Sequence, residues 1–383
     1  MTVINSFSLL TNKVVTSSGV IHDAFLNVSG ETIVSISKKP YFNKITDYSN
    51  EIAVPGFIDI HTHGYFGIDA LSSDESGIRK WASMIAKKGV TSFIPTCVST
   101  STDQLIEFLK KIGKLKETRN PLEARIIGAR SEGPYISLEK KGAHNPEFVR
   151  KISMDEINKI IASSNNVLKI MDMAPELELF NDAMSRFQSS GTLISAGHSS
   201  ANYATASLAL SSGVRLMTHF YNAMTQFDHR EPGMVGAGFL SQSAFLEIIS
   251  DFHHVSKDAI EVMAKIRGWD HIIGITDSLS VGGTEQKNSR LGGLDIEVHD
   301  GVAWIKGTET IAGSVLTLEQ AFMNLASLGV SLNDCTKALS TNPASLLGLS
   351  DRGDLAPGKL ADINILDEKL NVVKTIIGGK FID

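Results

Sequence analysis

Thiols are almost absent from this chain. Its two cysteines, Cys97 and Cys335, share no metal-type spacing, which excludes a disulfide framework or thiolate metal site and leaves them as small buried apolar residues. Long apolar runs are missing as well: none reaches the roughly twenty residues a membrane span requires. The start, Met1-Thr-Val-Ile-Asn-Ser6, has neither the basic residues nor the apolar stretch of a signal peptide. Positive charge is in deficit, 36 Lys and Arg against 42 Asp and Glu for a net charge of −6, which argues against a nucleic-acid binder. No Gly-x-Gly-x-x-Gly opens a helix after an apolar strand, which weakens a dinucleotide fold. A cytoplasmic protein with no membrane and no nucleic-acid partner is the expectation.

What is present is length and order. At 383 residues with 42% hydrophobic content, the chain can bury one large α/β domain and a smaller one. Residues 1–53 read as short β-branched strands, among them Asn12–Thr16, Ala24–Val28 and Thr32–Ile36. Ala361–Leu366 and Val372–Ile377 have the same texture. Neither end can build a core alone, so residues 1–53 and 355–383 are expected to pair into a small β-sandwich domain.

Residues 54–354 change to a repeated strand-then-helix pattern. Candidate strands are Gly56–His61, Thr91–Pro95, Ala124–Gly128, Val167–Met171, Thr192–Ala196, Arg215–Thr218, Phe245–Ile249 and Ile272–Thr276. Helical spacing follows most of them, as in Asp258–Ile266. Eight apolar strands with crossovers favour a closed, TIM-like (β/α)8 barrel over an open sheet. The glycines and alternating residues of Gly282–Gly313 predict a hairpin inserted near 282–313, after the eighth strand.

The polar residues that end these runs carry the chemistry. In a strand, residues i and i+2 share a face, so Asp59, His61 and His63 line one side of the first strand. Glu132 follows the third strand, His198 the fifth, His219 the sixth and Asp277 the eighth. Any one histidine could be a satisfied core residue, and Asp277 taken alone reads as a helix cap. Four histidines and two carboxylates on one rim are costly without a cation to pair them. Imidazole and carboxylate without thiolate suit zinc, iron or manganese. Such an ion would lower the pKa of bound water and polarise a carbonyl. Asp277 is then placed to take the water proton and return it to a leaving nitrogen, which is hydrolysis of an amide-like bond.

The chain resembles the amidohydrolase superfamily, and within it the N-acetylglucosamine-6-phosphate deacetylases, over nearly its whole length. The motifs are Pro55-Gly-Phe-Ile-Asp-Ile-His-Thr-His-Gly64, Glu132-Gly-Pro-Tyr135, Lys141-Gly-Ala-His-Asn-Pro146, Gly197-His-Ser199, Thr218-His-Phe-Tyr-Asn-Ala-Met224, Arg230-Glu-Pro-Gly233, Ile275-Thr-Asp277 and Ala312–Thr317. The resemblance implies Glu132, His198 and His219 as principal metal ligands, with Asp277 as acid/base. The intact His61 and His63 allow one or two divalent ions with Glu132 bridging. Lys169 falls inside the fourth strand rather than at its end, which disfavours the carbamylated-lysine branches.

For the substrate, the resemblance implies His144 at the sugar or its acetyl oxygen, and backbone amides of Asn222 and Ala223 at the phosphate. It also implies Arg230 reaching that phosphate from a neighbouring subunit, hence a homodimer; by sequence alone Arg230 is a surface charge. His254 matches the histidine of an Asp-Gly-x-His-Val motif, but this chain reads Asp251-Phe-His-His-Val255. Phe252 therefore replaces the family glycine, and His253 competes weakly for the role. The implied reaction removes acetate from N-acetylglucosamine 6-phosphate to leave glucosamine 6-phosphate. The galactosamine epimer would fit the same motifs. A cyclic amidase or dipeptidase with Arg230 on a carboxylate, or a catalytically silent protein on the same fold, are the other readings.

Overall fold

The computed structural model describes residues 5–383, so residues 1–4 of the expected small domain lie outside the described residues. The expected (β/α)8 barrel is present. Its parallel strands are Phe57–Thr62, Val90–Cys97, Arg125–Ile126 continued by Ala129–Ser131, Leu168–Met173, Leu193–Ala196, Leu216–Met217, Phe245–Ile248 and Ile272–Gly274. They pair in chain order, each with the next. All eight residues of Val90–Cys97 are buried, as a parallel strand covered on both faces requires.

Among the described residues no strand ladder joins the eighth strand to the first. The seam is closed instead by the Asp277 amide, which donates to the His61 carbonyl at 2.8 Å. Beside it the Thr276 hydroxyl donates to Asp59 Oδ2 at 2.7 Å. The helices lie outside. In Lys257–Arg267 the Ser256 side chain caps the Ala259 amide, and Ile260 and Met263 turn inward, the spacing that an amphipathic helix needs.

The two chain ends form one seven-stranded mixed sheet. Its order is Lys380–Ile382, Val372–Ile377, Ile363–Leu366, Ile45–Pro55, Ser6–Thr16, Gly19–Ser29, Thr32–Ser37. Phe7 and Phe381 stand four strand spacings apart, roughly 19 Å on a flat sheet. Their ring centroids are 5.2 Å apart, so the sheet is rolled and its halves face each other across a core of Phe7, Leu9, Leu26, Ile33, Ile363 and Ile376. The roll is tied by Ile33 N–H to the Lys359 carbonyl at 2.9 Å and Ala361 N–H to Glu31 O at 2.8 Å.

The chain passes straight from this sheet into the first barrel strand at Gly56, where an added Cβ would lie 2.2 Å from the Thr91 side chain; only glycine fits that approach. The insert after the eighth strand has three antiparallel strands, Asn288–Leu291, Leu294–His299 and Val302–Ile305, one more than a simple hairpin. Leu291, Ile296 and Val298 pack on Val98, Ala143 and Leu279, which seats the insert over the barrel mouth. Both cysteines are free and buried. No helix among the described residues is long and apolar enough to cross a membrane.

Candidate metal centre

Apart from His61, which is still within its strand, each rim residue sits just past a strand end, where the backbone turns. His198, His219 and Asp277 have φ of +48°, +27° and +48°, a left-handed conformation that non-glycine residues rarely adopt and that concentrates at functional sites. The turns aim all three side chains at Glu132. His198 Nε2 and His219 Nε2 each lie 3.0 Å from Glu132 Oε1. His63 Nε2 is 3.1 Å from Glu132 Oε2 and 3.1 Å from Asp277 Oδ1. His61 Nε2 is 3.4 Å from Asp277 Oδ1 and 3.6 Å from Glu132 Oε1. These residues form two clusters of ligand atoms, His61, His63, Glu132 and Asp277, and Glu132, His198 and His219. Glu132 belongs to both.

The far nitrogens of the rings show which atoms face inward. His63 Nδ1 is 3.1 Å from the Thr96 carbonyl, His198 Nδ1 is 2.7 Å from the Lys140 carbonyl, and His61 Nδ1 is 3.3 Å from Glu247 Oε2. An oxygen acceptor at Nδ1 fixes the proton there and presents the Nε2 lone pair to the centre. His61 Nε2 is buried without a hydrogen-bond partner, and His198 Nε2 faces His219 Nε2 at 3.0 Å. Converging lone pairs and two buried carboxylates fit a divalent cation.

Electrostatics point the same way. Burial opposes charge on Glu132, yet the surrounding imidazoles, His61 foremost, hold its carboxyl well below the usual range. Burial likewise opposes protonation of His63, but its hydrogen bonds to Asp277 and Glu132 prevail and carry it up to about 9. The carboxylates demand positive charge at this spot.

His144 differs from these four rings. Its Nδ1 accepts from the Ser99 amide at 3.1 Å, so the proton sits on Nε2, which lies 3.4 Å from Glu132 Oε2. Burial pushes its pKa down to about 4. His144 is thus a neutral donor at the edge of the centre.

Three residues that sequence reasoning missed lie beneath. Arg130 is fully buried and grips Asp172 through Nε at 3.1 Å and Nη2 at 3.0 Å. Its Nη2 also donates to Glu247 Oε2 at 3.1 Å, and its Nη1 to Glu247 Oε1. Burial opposes the Glu247 charge, but Arg130 and His61 outweigh it and bring the carboxyl down to about 2. Glu247 then accepts from His61 Nδ1 and, at 3.2 Å, from the His219 amide. The available signal was a charged residue inside each of three apolar strands.

A cavity of about 520 Å³ opens over the centre, lined by His63, Glu132, His144, His198, His219 and Asp277 together with Asn222, Ala223 and His254. Lys140 and Lys141 and the insert's Leu291 and Ile311 complete its walls. His254 Nδ1 is 2.7 Å from Asp251 Oδ2, while His253 is exposed, so His254 is the histidine that faces the cavity. Phe252 keeps the glycine-like backbone, with φ of +67° and its ring under the Lys257 ammonium at 4.8 Å. Arg230 is on an exposed loop and does not line the cavity of its own chain.

The family model described as "Amidohydrolase family" matches residues 52–382. N-acetylgalactosamine-6-phosphate deacetylase of Escherichia coli O157:H7 is 32% identical over 374 residues, 97% of this chain and 98% of that protein. N-acetylglucosamine-6-phosphate deacetylase of Bacillus subtilis (strain 168) is 29% identical over 374 residues, 96% and 94% of the two chains. Among solved structures, N-acetylglucosamine-6-phosphate deacetylase from Thermotoga maritima superposes with a TM-score of 0.89 at 33% identity, covering 98% of this chain and 99% of that one. The Mycobacterium smegmatis enzyme in complex with N-acetyl-D-glucosamine-6-phosphate gives 0.94 at 27% identity, covering 99% and 100%.

Proposed function

The chain belongs to the amidohydrolase family, and from that premise we propose that it is a metal-dependent deacetylase of amino-sugar 6-phosphates. The substrate we favour is N-acetylglucosamine 6-phosphate, cleaved to glucosamine 6-phosphate and acetate. The observation that carries this reading is the convergence of His61, His63, His198 and His219 on Glu132 with Asp277 alongside, beneath a cavity of sugar-phosphate size. The N-acetylgalactosamine 6-phosphate reading is the second one, supported by a relative of that name at 32% identity over 97% of the chain.

In this reading His61, His63, Glu132, His198 and His219 hold one or two divalent ions, zinc or iron in the first place and manganese otherwise. When bound, such an ion supplies Lewis acidity, lowering the pKa of a water and polarising an acyl oxygen. His144 donates its Nε2 proton to the acetyl oxygen as negative charge builds there. The Asp277 carboxylate accepts the proton released by the attacking water. It passes that proton to the amine nitrogen as the C–N bond breaks, leaving a carboxylic acid and a free amine. His254, oriented by Asp251, and the Ala223 amide line the sugar-phosphate end, beside Asn222, whose own amide donates to the His219 carbonyl at 2.9 Å. The exposed position of Arg230 supports its delivery from a second copy in a homodimer, where a guanidinium suits a phosphate dianion.

Acetate release measured side by side on the two phosphosugars and on N-acetylglucosamine, with elemental analysis of the purified protein, tests the reading. Turnover of a phosphosugar with stoichiometric metal is expected. Equal rates with and without the phosphate, or no acetate release by metal-loaded protein, would reject it.

A further inference from the structure

At the opposite end of the barrel from the metal centre lies a second cavity, of about 510 Å³. Arg125 opens the third barrel strand and Lys169 is the second residue of the fourth, so this cavity sits at the N-terminal face. Glu31 and Leu360 bring the terminal sheet to its other wall.

Its charge is out of keeping with the molecule. The chain carries a net −6, yet six cations line this cavity against three carboxylates, Glu31, Glu123 and Asp351. Some of the cations are occupied: Arg79 pairs with Glu123 at 2.8 Å and Arg352 with Asp351 at 2.9 Å. Arg119 only leans on Glu31, at 3.6 Å. Arg125 gives one edge to Asp362, while its Nη2 is buried with no hydrogen-bond partner. Lys116 and Lys169 form no ion pair among the described residues.

The two lysines also feel each other. Burial first, and then the Lys169 charge, hold Lys116 below the ordinary lysine range. The Lys169 stem is pinned over Gly128, where an added Cβ would lie 2.2 Å from its Cγ. Unpaired cations held together at a partly enclosed wall lower their mutual repulsion when an anion enters between them. The volume falls in the range of small-molecule sites and exceeds what a bare phosphate fills.

We propose that this cavity binds the phosphate dianion of a small phosphorylated metabolite, with Lys116 and Lys169 as its principal contacts, Arg119 at its edge and the buried Arg125 adding charge beneath it. The site is separate from the deacetylase centre and does not depend on that reading. A ligand there touches both the barrel and the terminal sheet, so it stabilises the folded chain by mass action.

The test compares metal-loaded wild type with Lys116→Gln/Lys169→Gln at constant ionic strength, using inorganic phosphate, glucose 6-phosphate and glucose as probes. Melting temperature and calorimetric affinity are the readouts. Phosphate binding at the metal centre is common to both proteins and cancels. Glucose 6-phosphate is expected to raise the wild-type melting temperature more than inorganic phosphate does, and glucose not at all. The double variant is expected to lose the part of this stabilisation that the second site supplies, with affinity there weakened about tenfold or more. Lys116 is exposed on its helix, so Lys116→Gln alone serves if the double variant melts early. Equal responses in the two proteins, or a wild type that responds to glucose as it does to its phosphate, overturn the proposal.

Discussion

Glu247 Oε2 stands 3.3 Å from His61 Nδ1 while the same carboxylate is gripped by Arg130 from below. A buried ion pair in the barrel interior thereby sets the orientation of a ring at its mouth. Glu247→Gln keeps the shape and loses the charge. Orienting partners of this kind are worth about 10–100-fold in metal affinity, so competition with a chelator is expected to strip the variant at a correspondingly lower chelator concentration. A variant that holds its metal as tightly as wild type would show that His61 needs no such support.

Asp277→Asn separates holding the metal from moving the proton. Four imidazoles and Glu132 remain, so metal content is expected to stay near the wild-type value, while acetate release falls by about 10²–10⁴-fold. Activity close to wild type in a metal-loaded Asp277→Asn protein would remove Asp277 from the proton path.

His144→Phe removes the inward-facing N–H without touching the residues that would bind the ion. Loss of one such donor costs about 10²–10³ in kcat, and metal content should not change. An equal loss of metal would instead make His144 a ligand.

At Phe252 two substitutions rank differently by mechanism. Phe252→Ala keeps the left-handed strain at φ +67° and loses the ring over which Lys257 sits. Phe252→Gly also loses the ring but relieves the strain, worth about 1–2 kcal/mol. The glycine variant is therefore expected to melt above the alanine variant, with His254 still at the cavity. The reverse order would show that the backbone relaxes once the ring is gone.

Glu156 provides a pH test away from the site. Burial opposes its charge, but its hydrogen bonds to Arg150 prevail and hold its carboxyl below the usual 4.5. A depressed folded-state pKa gives stability that is present above 4.5 and disappears as pH falls through the lower folded value. The melting-temperature gap between wild type and Glu156→Gln should therefore shrink on acidification. The pair is partly exposed and the effect modest. A gap independent of pH would assign Glu156 a packing role only.

The barrel and the rim were legible because each strand is an apolar run that stops at a polar residue, and a strand end is where a barrel puts its chemistry. The expected runs from Gly56 to Thr276 coincide with the observed strands to within a few residues. Arg130, Asp172 and Glu247 were not legible. Each is a lone charge inside an apolar segment, and only the closed ring of strands brings the three together. The roll of the terminal sheet was hidden for a similar reason. Phe7 and Phe381 meet through pairings between the two chain ends that no local pattern encodes. His253 and His254 are adjacent in sequence and chemically identical. The Asp251 contact, not composition, separates them.

The bond from the Asp277 amide to the His61 carbonyl carries a consequence for how the molecule is made. It is the last staple of the ring, and it comes from the same residue whose carboxylate joins His61, His63 and Glu132. By the time residue 277 is made, the four histidines and Glu132 that it joins have all been synthesised. One residue thus completes both the circle of strands and the cluster of side chains, while the insert and the last three strands of the terminal sheet are still to be made.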